Sequence, residues 1–320
     1  MKILIAPLNW GLGHATRCIP IIEHYLQQGH QVILAGDGDS LLLLQQRFPS
    51  LPSIDFPPLK LHYTSNPQQL GFYIRAIFSL MRATLADHYH LQQLLAREHF
   101  DLIISDNRFG LYTRDTQSIY ITHQLYPILP KRLKIFQPLA RAIHACIYKR
   151  YHQVWVPDYA DPLSNLSGQL SHGGHFDQKA KYIGPLSRFR TLELLEQPKA
   201  VRTLEPLEPK ALALLSGLEP QRSIFEKELL ERFAHSEENL LLVRGKVSAP
   251  KTTIQRANIT IIPSISDAEL FSAAKQANKI IARSGYTTIM DLEALGVLDK
   301  AEFHPTPGQS EQEYLAEWLA

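Results

Sequence analysis

A histidine follows two closely spaced glycines in Asn9-Trp10-Gly11-Leu12-Gly13-His14. The segment stands between an apolar run, Ile3-Leu4-Ile5-Ala6-Pro7-Leu8, and residues 15–26, whose apolar positions recur at helical spacing. The order is strand, glycine turn, helix. Glycines let the backbone turn tightly and let a ligand come close. The helix start offers unpaired N–H groups and a positive dipole end to an anionic or polar ligand. A histidine there stands where open α/β sheets bind ligands, and its titration range suits acid–base work. The competing reading is a helix-start histidine satisfied by local hydrogen bonds. The third glycine of a dinucleotide fingerprint is absent, and Asp37 and Asp39 fall in Gly36-Asp37-Gly38-Asp39, which reads as a turn.

Other polar groups close apolar runs in the same way. Asp101-Leu102-Ile103-Ile104-Ser105-Asp106 ends beside Asn107 and Arg108, and Ser118-Ile119-Tyr120-Ile121-Thr122 ends at His123. In a parallel sheet Asp106, Asn107, Arg108 and His123 join His14 on one edge. The alternatives are that Asp106 caps the next turn and that His123 packs in a loop.

The elements that position these groups alternate. Strands are expected at 31–35, 101–106, 118–123 and 154–158, and helices at 15–26, 40–47 and 68–98, with Gly29 as a C-cap. Pro49, Pro52, Pro57, Pro58 and Pro67 mark a loop region around a short strand. Alternating strands and helices indicate βαβ units and a parallel sheet. A charged, proline-containing stretch from Arg188 to Pro209 reads as an interdomain linker. Beyond it a second α/β pattern begins, with strands at 210–215, 239–243, 259–262, 279–282 and 302–304. Its helices are expected at 224–233, 268–277 behind a Ser266-Asp267 cap, 287–295 before Gly296, and a terminal one opened by Gln309.

Composition narrows the class. A chain of 320 residues suggests about two domains. A net charge of +2 excludes a strongly basic nucleic-acid binder. The two cysteines, Cys18 and Cys146, lack metal-ligand spacing and read as buried thiols in a reducing compartment. With no signal-peptide pattern and no apolar run of membrane-spanning length, a cytoplasmic, non-integral protein is expected. From Thr116 to Pro157 there is no Asp or Glu, while Lys131, Arg132, Lys134, Arg141, Lys149 and Arg150 alternate with apolar residues. Residues 126–150 therefore form a candidate surface for an anionic membrane or lipid head group. The alternative is an ordinary solvated helix face.

Taken together the motifs resemble a known family. Gly11-x-Gly13-His14 is followed, at the other end of the chain, by Arg283-Ser284-Gly285-x-x-Thr288-x-x-Asp291 and then Pro307-Gly308-Gln309-x-Glu311-Gln312. This is similar to the GT-B glycosyltransferases, particularly those that include the lipid II-forming N-acetylglucosaminyltransferase and the monogalactosyldiacylglycerol synthases. The resemblance implies two Rossmann-like, doubly wound α/β domains facing across a cleft, here 1–183 for the acceptor and 184–320 for the nucleotide sugar. It implies inverting, metal-independent transfer of a hexose or N-acetylhexosamine from a nucleoside diphosphate, UDP by the family's habit, to a lipid-linked or cell-envelope acceptor. No cofactor, metal or nucleic acid is implied. The enzyme would be cytoplasmic and peripheral on the inner face of the plasma membrane.

The resemblance also distributes roles. His14 becomes the base or a donor to the leaving group, with Asp106 the rival base. Gly11, Gly13, Asn107, Arg108 and His123 fall on the acceptor side. Asp291 would accept the ribose hydroxyls, although the family commonly has the longer Glu there. Ser216, Gly217, Ser284 and Gly285 offer backbone N–H groups to the diphosphate, with Arg222, Arg244 and Arg283 adding charge and Thr288 beside them. Leu270 would touch the base, and Gln309, Glu311 and Gln312 the sugar. Two other readings are a sugar-nucleotide 2-epimerase and a non-catalytic nucleotide-sugar-binding subunit.

Overall fold

The computed structural model describes residues 1–58, 70–174, 179–190, 209–250 and 252–320. The first sheet has seven parallel strands: β1 (Lys2–Pro7), β2 (Gln31–Gly36), β3 (Ser53–Asp55), β4 (Leu102–Asp106), β5 (Gln117–Ile121), β6 (Gln153–Val156) and β7 (Ala180–Tyr182). Their order is β3-β2-β1-β4-β5-β6-β7, so the chain adds strands outward to one side of β1 as far as β3 and then to the other side from β4 on, all strands staying parallel. The second sheet comprises β8 (Ala211–Leu214), β9 (Leu240–Val243), β10 (Ile254–Arg256), β11 (Ile259–Ile262), β12 (Lys279–Ala282) and β13 (Ala301–Phe303) in the order β10-β11-β9-β8-β12-β13. It is parallel except for the β10–β11 pair.

Continuous apolar runs make these central strands. Ile3, Leu4, Ile5 and Ala6 are all fully buried because helices cover both faces. On one face α1 (Gly13–Gln27) and α2 (Gly38–Arg47) pack on Ile3, Ile5, Ile104 and Ile119. On the other, α3 (Leu70–Leu95) packs through Leu91 on Leu4 and Ile103. There α4 (Gln137–Tyr148) packs through Tyr148 on Tyr120 and Val154. A short helix α5 (Gln169–His172) follows. The second half adds α6 (Gln221–Phe233), α7 (Asp267–Gln276), α8 (Tyr286–Ala294) and α9 (Ser310–Trp318). A capping box between Ser266 and Glu269 starts α7, as the Ser-Asp pair at that point anticipates.

An apolar joint unites the halves: Leu166 and Leu170 pack with Tyr286, Ile289, Met290 and Leu315. Several expectations are corrected. Gly38 and Asp39 begin α2 instead of forming a free turn. Cys18 is buried, but Cys146 is exposed, because it falls on the outer side of α4. The 191–208 part of the expected linker and the 59–67 part of the proline loop lie outside the described residues.

Candidate functional site

The carboxyl ends of the two sheets enclose a cleft of about 810 Å³ lined by both halves. Its floor is set by close backbone approach. A Cβ on Gly13 would lie 2.9 Å from Thr287 Oγ1, and Gly11 adopts φ +80° beside Gly217. Only glycine fits these two turns without strain or displacement. Thr287 Oγ1 donates to the Gly13 carbonyl at 3.1 Å, which joins the start of α1 to the start of α8.

Register explains why His14 meets Asp106. Pro7, the last residue of β1, pairs with Asp106, the last of β4. The turn after β1 then begins α1 at Gly13, so His14 lies in the first helical turn above Asp106. His14 Nδ1 is 2.8 Å from Asp106 Oδ1. Asp106 is wholly buried and is also gripped through both oxygens by the Arg17 guanidinium. Burial pushes its acidity down, but the Arg17 and His14 charges prevail and hold its pKa at about 2. Asp106 therefore stands behind His14 as an ionised support and does not line the cleft, which His14 does. Its rival role as the base is not open to it in this position.

His14 itself titrates below its ordinary 6.5. Burial is the largest cause, and Arg17 and His123 add to it against the upward pull of Asp106. His123 lines the cleft, with its Nε2 2.7 Å from Glu311 Oε1 and its ring stacked on Tyr286 at 4.2 Å. Gln124 donates to the other oxygen of Glu311. Glu311, expected to reach a sugar, thus crosses the cleft to the first half. Tyr286, Gln124 and Arg17 are participants that motif reading did not single out. Arg17 shows only as a cation three residues after His14.

Asn107 lines the cleft in a left-handed conformation, φ 56°, and accepts from Tyr120 Oη at 2.8 Å. Tyr120 Oη is 3.3 Å from His144 Nε2, which places a polar trio in the outer cleft between α3 and α4. Burial pushes His144 down to about 4. The folded value lies below the unfolded one, so the unfolded chain takes up a proton first as pH falls below 6.5. Stability is therefore lost on acidification, by about 2 kcal/mol between pH 6.5 and 5. Urea unfolding at pH 7 and pH 5 tests this: His144→Gln is expected to show the smaller loss.

Several expected site residues serve the framework instead. Arg108 is 1% exposed and is held by Asp87 at 2.6 Å, Asp37 at 2.9 Å and the Pro57 carbonyl at 2.8 Å. Arg244 binds Glu226. Arg283 lies over the Phe225 ring and donates to the His304, Pro305 and Gln221 carbonyls. Ser284 is buried and donates to the Gln312 carbonyl. None of these four lines the cleft, because each is consumed by a partner remote in sequence.

On the second half the cleft is lined by Ser216, Gly217, Arg222, Leu270, Gly285, Thr288, Asp291, Gln309, Glu311 and Gln312. Gln312 accepts from the Thr306 N–H and donates to Gln309. At α6 the anion position is already filled: Glu219 accepts from the Ser223 N–H at 3.1 Å and from Arg222 at 3.0 Å. No side chain caps α8, where Gly285 leads into Tyr286, Thr287 and Thr288. Its N-terminus is thus the freer place for an anion. Asp291 accepts from Ser187 Oγ at 2.7 Å and lies 3.4 Å from Arg188 Nε. Burial raises it to about 6. Among the described residues no group of His, Cys, Asp and Glu has the arrangement of a metal site.

Comparison with known proteins bears on this geometry. No family model matches the chain. An uncharacterized glycosyltransferase of Methanosarcina acetivorans is 24% identical over 326 residues, covering 98% of this chain and 82% of the relative. One of Methanosarcina mazei is 23% identical with the same coverage. The fold is shared with CalG4, the calicheamicin glycosyltransferase (TM-score 0.62, 13% identity, 97% of this chain and 82% of that one). It is shared also with Phytolacca americana UGT2 complexed with UDP-2-fluoroglucose and pterostilbene (TM-score 0.59, 14% identity, 98% and 82%). A third fold neighbour is the Streptomyces glycosyltransferase SsfS6 complexed with thymidine diphosphate (TM-score 0.56, 13% identity, 93% and 80%). The fold is thus that of the GT-B glycosyltransferases, and the curated relatives that match along nearly the whole chain are glycosyltransferases.

Proposed function

We propose that the protein moves a hexose or N-acetylhexosamine from a nucleoside-diphosphate sugar, with UDP as the nucleotide, to a hydroxyl of a lipid-linked or cell-envelope acceptor. The observation that carries this reading is the His14–Asp106 pair facing the uncapped start of α8 across one cleft. The first half, to residue 183, takes the acceptor, and the second, from 184, the donor. That two fold neighbours hold UDP-2-fluoroglucose and thymidine diphosphate supports a nucleoside diphosphate donor.

In the proposed reaction Asp106 accepts from His14 Nδ1–H, which leaves a lone pair on Nε2. As the acceptor oxygen attacks the anomeric carbon, Nε2 takes its proton. The bond from that carbon to the diphosphate oxygen breaks, and the electron pair leaves with the diphosphate. The α8 N–H groups receive the developing charge, so the step needs no metal. A single displacement inverts the anomeric centre. Asp291 holds the ribose, and Gln309 and Gln312 the sugar.

The outer surface supports an amphipathic acceptor. On α3, Ile77, Met81, Leu85 and Tyr89 form an exposed stripe at i, i+4 spacing. Ile135, Phe136, Leu139 and Ile143 are exposed on and before α4, beside Lys131, Arg132 and Lys134. Both helices lie on the same face of the first sheet, and the cleft opens between them at Leu80 and His144. No helix among the described residues is long and apolar enough to cross a membrane. A peripheral seat on an anionic bilayer fits this surface. Binding to vesicles containing phosphatidylglycerol is expected to weaken with salt, and Ile135→Asp with Phe136→Asp to cut it by at least about tenfold. Equal binding by the double variant would remove the membrane reading.

The test of the transfer is calorimetry against UDP, GDP, ADP and dTDP, followed by nucleotide release from the matching sugars with lipid acceptors. Saturable UDP binding and acceptor-dependent release are expected. Binding of none of the four would overturn the donor reading.

A further inference from the structure

His14 and Arg17 are three residues apart on α1, so their side chains share one side of the helix. Arg17 is 1% exposed and sits at the centre of a buried polar chain. Its Nε and Nη2 hold the two oxygens of Asp106, and its Nη1 lies 3.4 Å from His123 Nδ1. A guanidinium has only donors. His123 Nδ1 therefore presents its lone pair, its proton rests on Nε2, and Nε2 donates to Glu311. Asp106, ionised, accepts from His14 Nδ1–H. One arginine thus fixes the tautomers of two histidines, one on each side of it.

A carboxylate paired with a histidine alone does two things: it orients the ring and it draws a proton onto it. Here the second effect is opposed. The Arg17 charge sits on the same carboxylate, so His14 faces a neutralised pair. The groups that face His14 are Asp106 from β4, Arg17 from α1, His123 after β5 and Glu311 from α9. Cys18 lies behind, 3.7 Å from Asp106.

We infer that Arg17 is a positioning residue for the proposed transfer: it clamps Asp106 and His123 and takes up the Asp106 charge, so that His14 meets the acceptor hydroxyl unprotonated. The inference rests on His14 as the base. It assigns Asp106 to orientation and Arg17 to keeping the base in its working form in mildly acidic solution.

The test is the titration of the His14 ring by NMR in protein with labelled histidine, assigned by comparison with His14→Gln. In the unaltered protein the ring is expected to titrate below 6.5, the ordinary value. In Arg17→Met it is expected to titrate higher, and in Arg17→Lys to return toward the original value. Transfer by Arg17→Met should lose about tenfold more between pH 8.5 and pH 6 than transfer by the unaltered protein. An unchanged His14 titration in folded Arg17→Met overturns the inference. Should Arg17→Met not fold, the unaltered protein decides: a His14 titration above 7 overturns it. Normal transfer by His14→Ala would instead overturn the base assignment, leaving the NMR result intact, so the two failures are told apart.

Discussion

His14→Ala is expected to lower sugar transfer by about 10²–10⁴-fold, the usual contribution of a positioned general base. Nucleotide affinity should stay as it was, because the side chain's hydrogen bond is to Asp106 in the first half and not to the donor side. Asp106 cannot take over. It is fully buried, held at about 2 and gripped by Arg17, so it is too weak a base and does not reach the cleft. Steady-state nucleotide release beside calorimetry on the same preparation makes the check. A loss of affinity equal to the loss of turnover would move His14 to donor binding.

Asp291→Asn is expected to give a more stable protein that binds nucleotide less well. Asp291 is 8% exposed, and burial raises its pKa from 3.8 to about 6. Keeping it ionised in the fold above that range costs about 3 kcal/mol, from about two pKa units at 1.36 kcal/mol each. The sign follows from proton uptake. The folded chain binds this proton more tightly than the unfolded chain, so the penalty is full above about pH 6 and fades toward pH 4. Asn has nearly the same shape, keeps an acceptor for Ser187 and carries no charge. Its advantage in melting temperature should therefore be several degrees at pH 7.5 and shrink on acidification. A carboxylate retained at such a cost fits a ligand with two adjacent hydroxyls. A lower melting temperature in the variant would mean that the Arg188–Asp291 attraction outweighs burial. Unchanged nucleotide affinity would remove Asp291 from the ribose.

The alternation of elements was legible because buried parallel strands are continuous apolar runs, as in Leu240–Val243 and in Ile280, Ile281 and Ala282. The β10 strand was not, since Ile254, Gln255 and Arg256 are all exposed and carry no pattern. In the site, residues at the ends of strands were found where the turn geometry fixes them: His14, Asn107 and His123 reach the cleft. The roles of Arg108 and Arg283 do not show in the sequence. A sequence displays the charge of Arg108 but not that Asp87 and Asp37 converge on it from other elements, and it displays Arg283 without the carbonyls that satisfy it. Tyr286 occupies a variable place in its motif, yet it is the ring on which His123 rests. Contacts between the halves leave no periodic trace, which is why Glu311 pointed toward a sugar in the sequence and toward His123 in the fold.

The apolar joint of Leu166, Leu170, Tyr286, Ile289, Met290 and Leu315 has a consequence for cooperativity. Each sheet has its own core, yet these side chains belong to neither half alone, and swinging the halves apart would wet all of them at once. The two halves are therefore expected to melt together, as a single transition in scanning calorimetry.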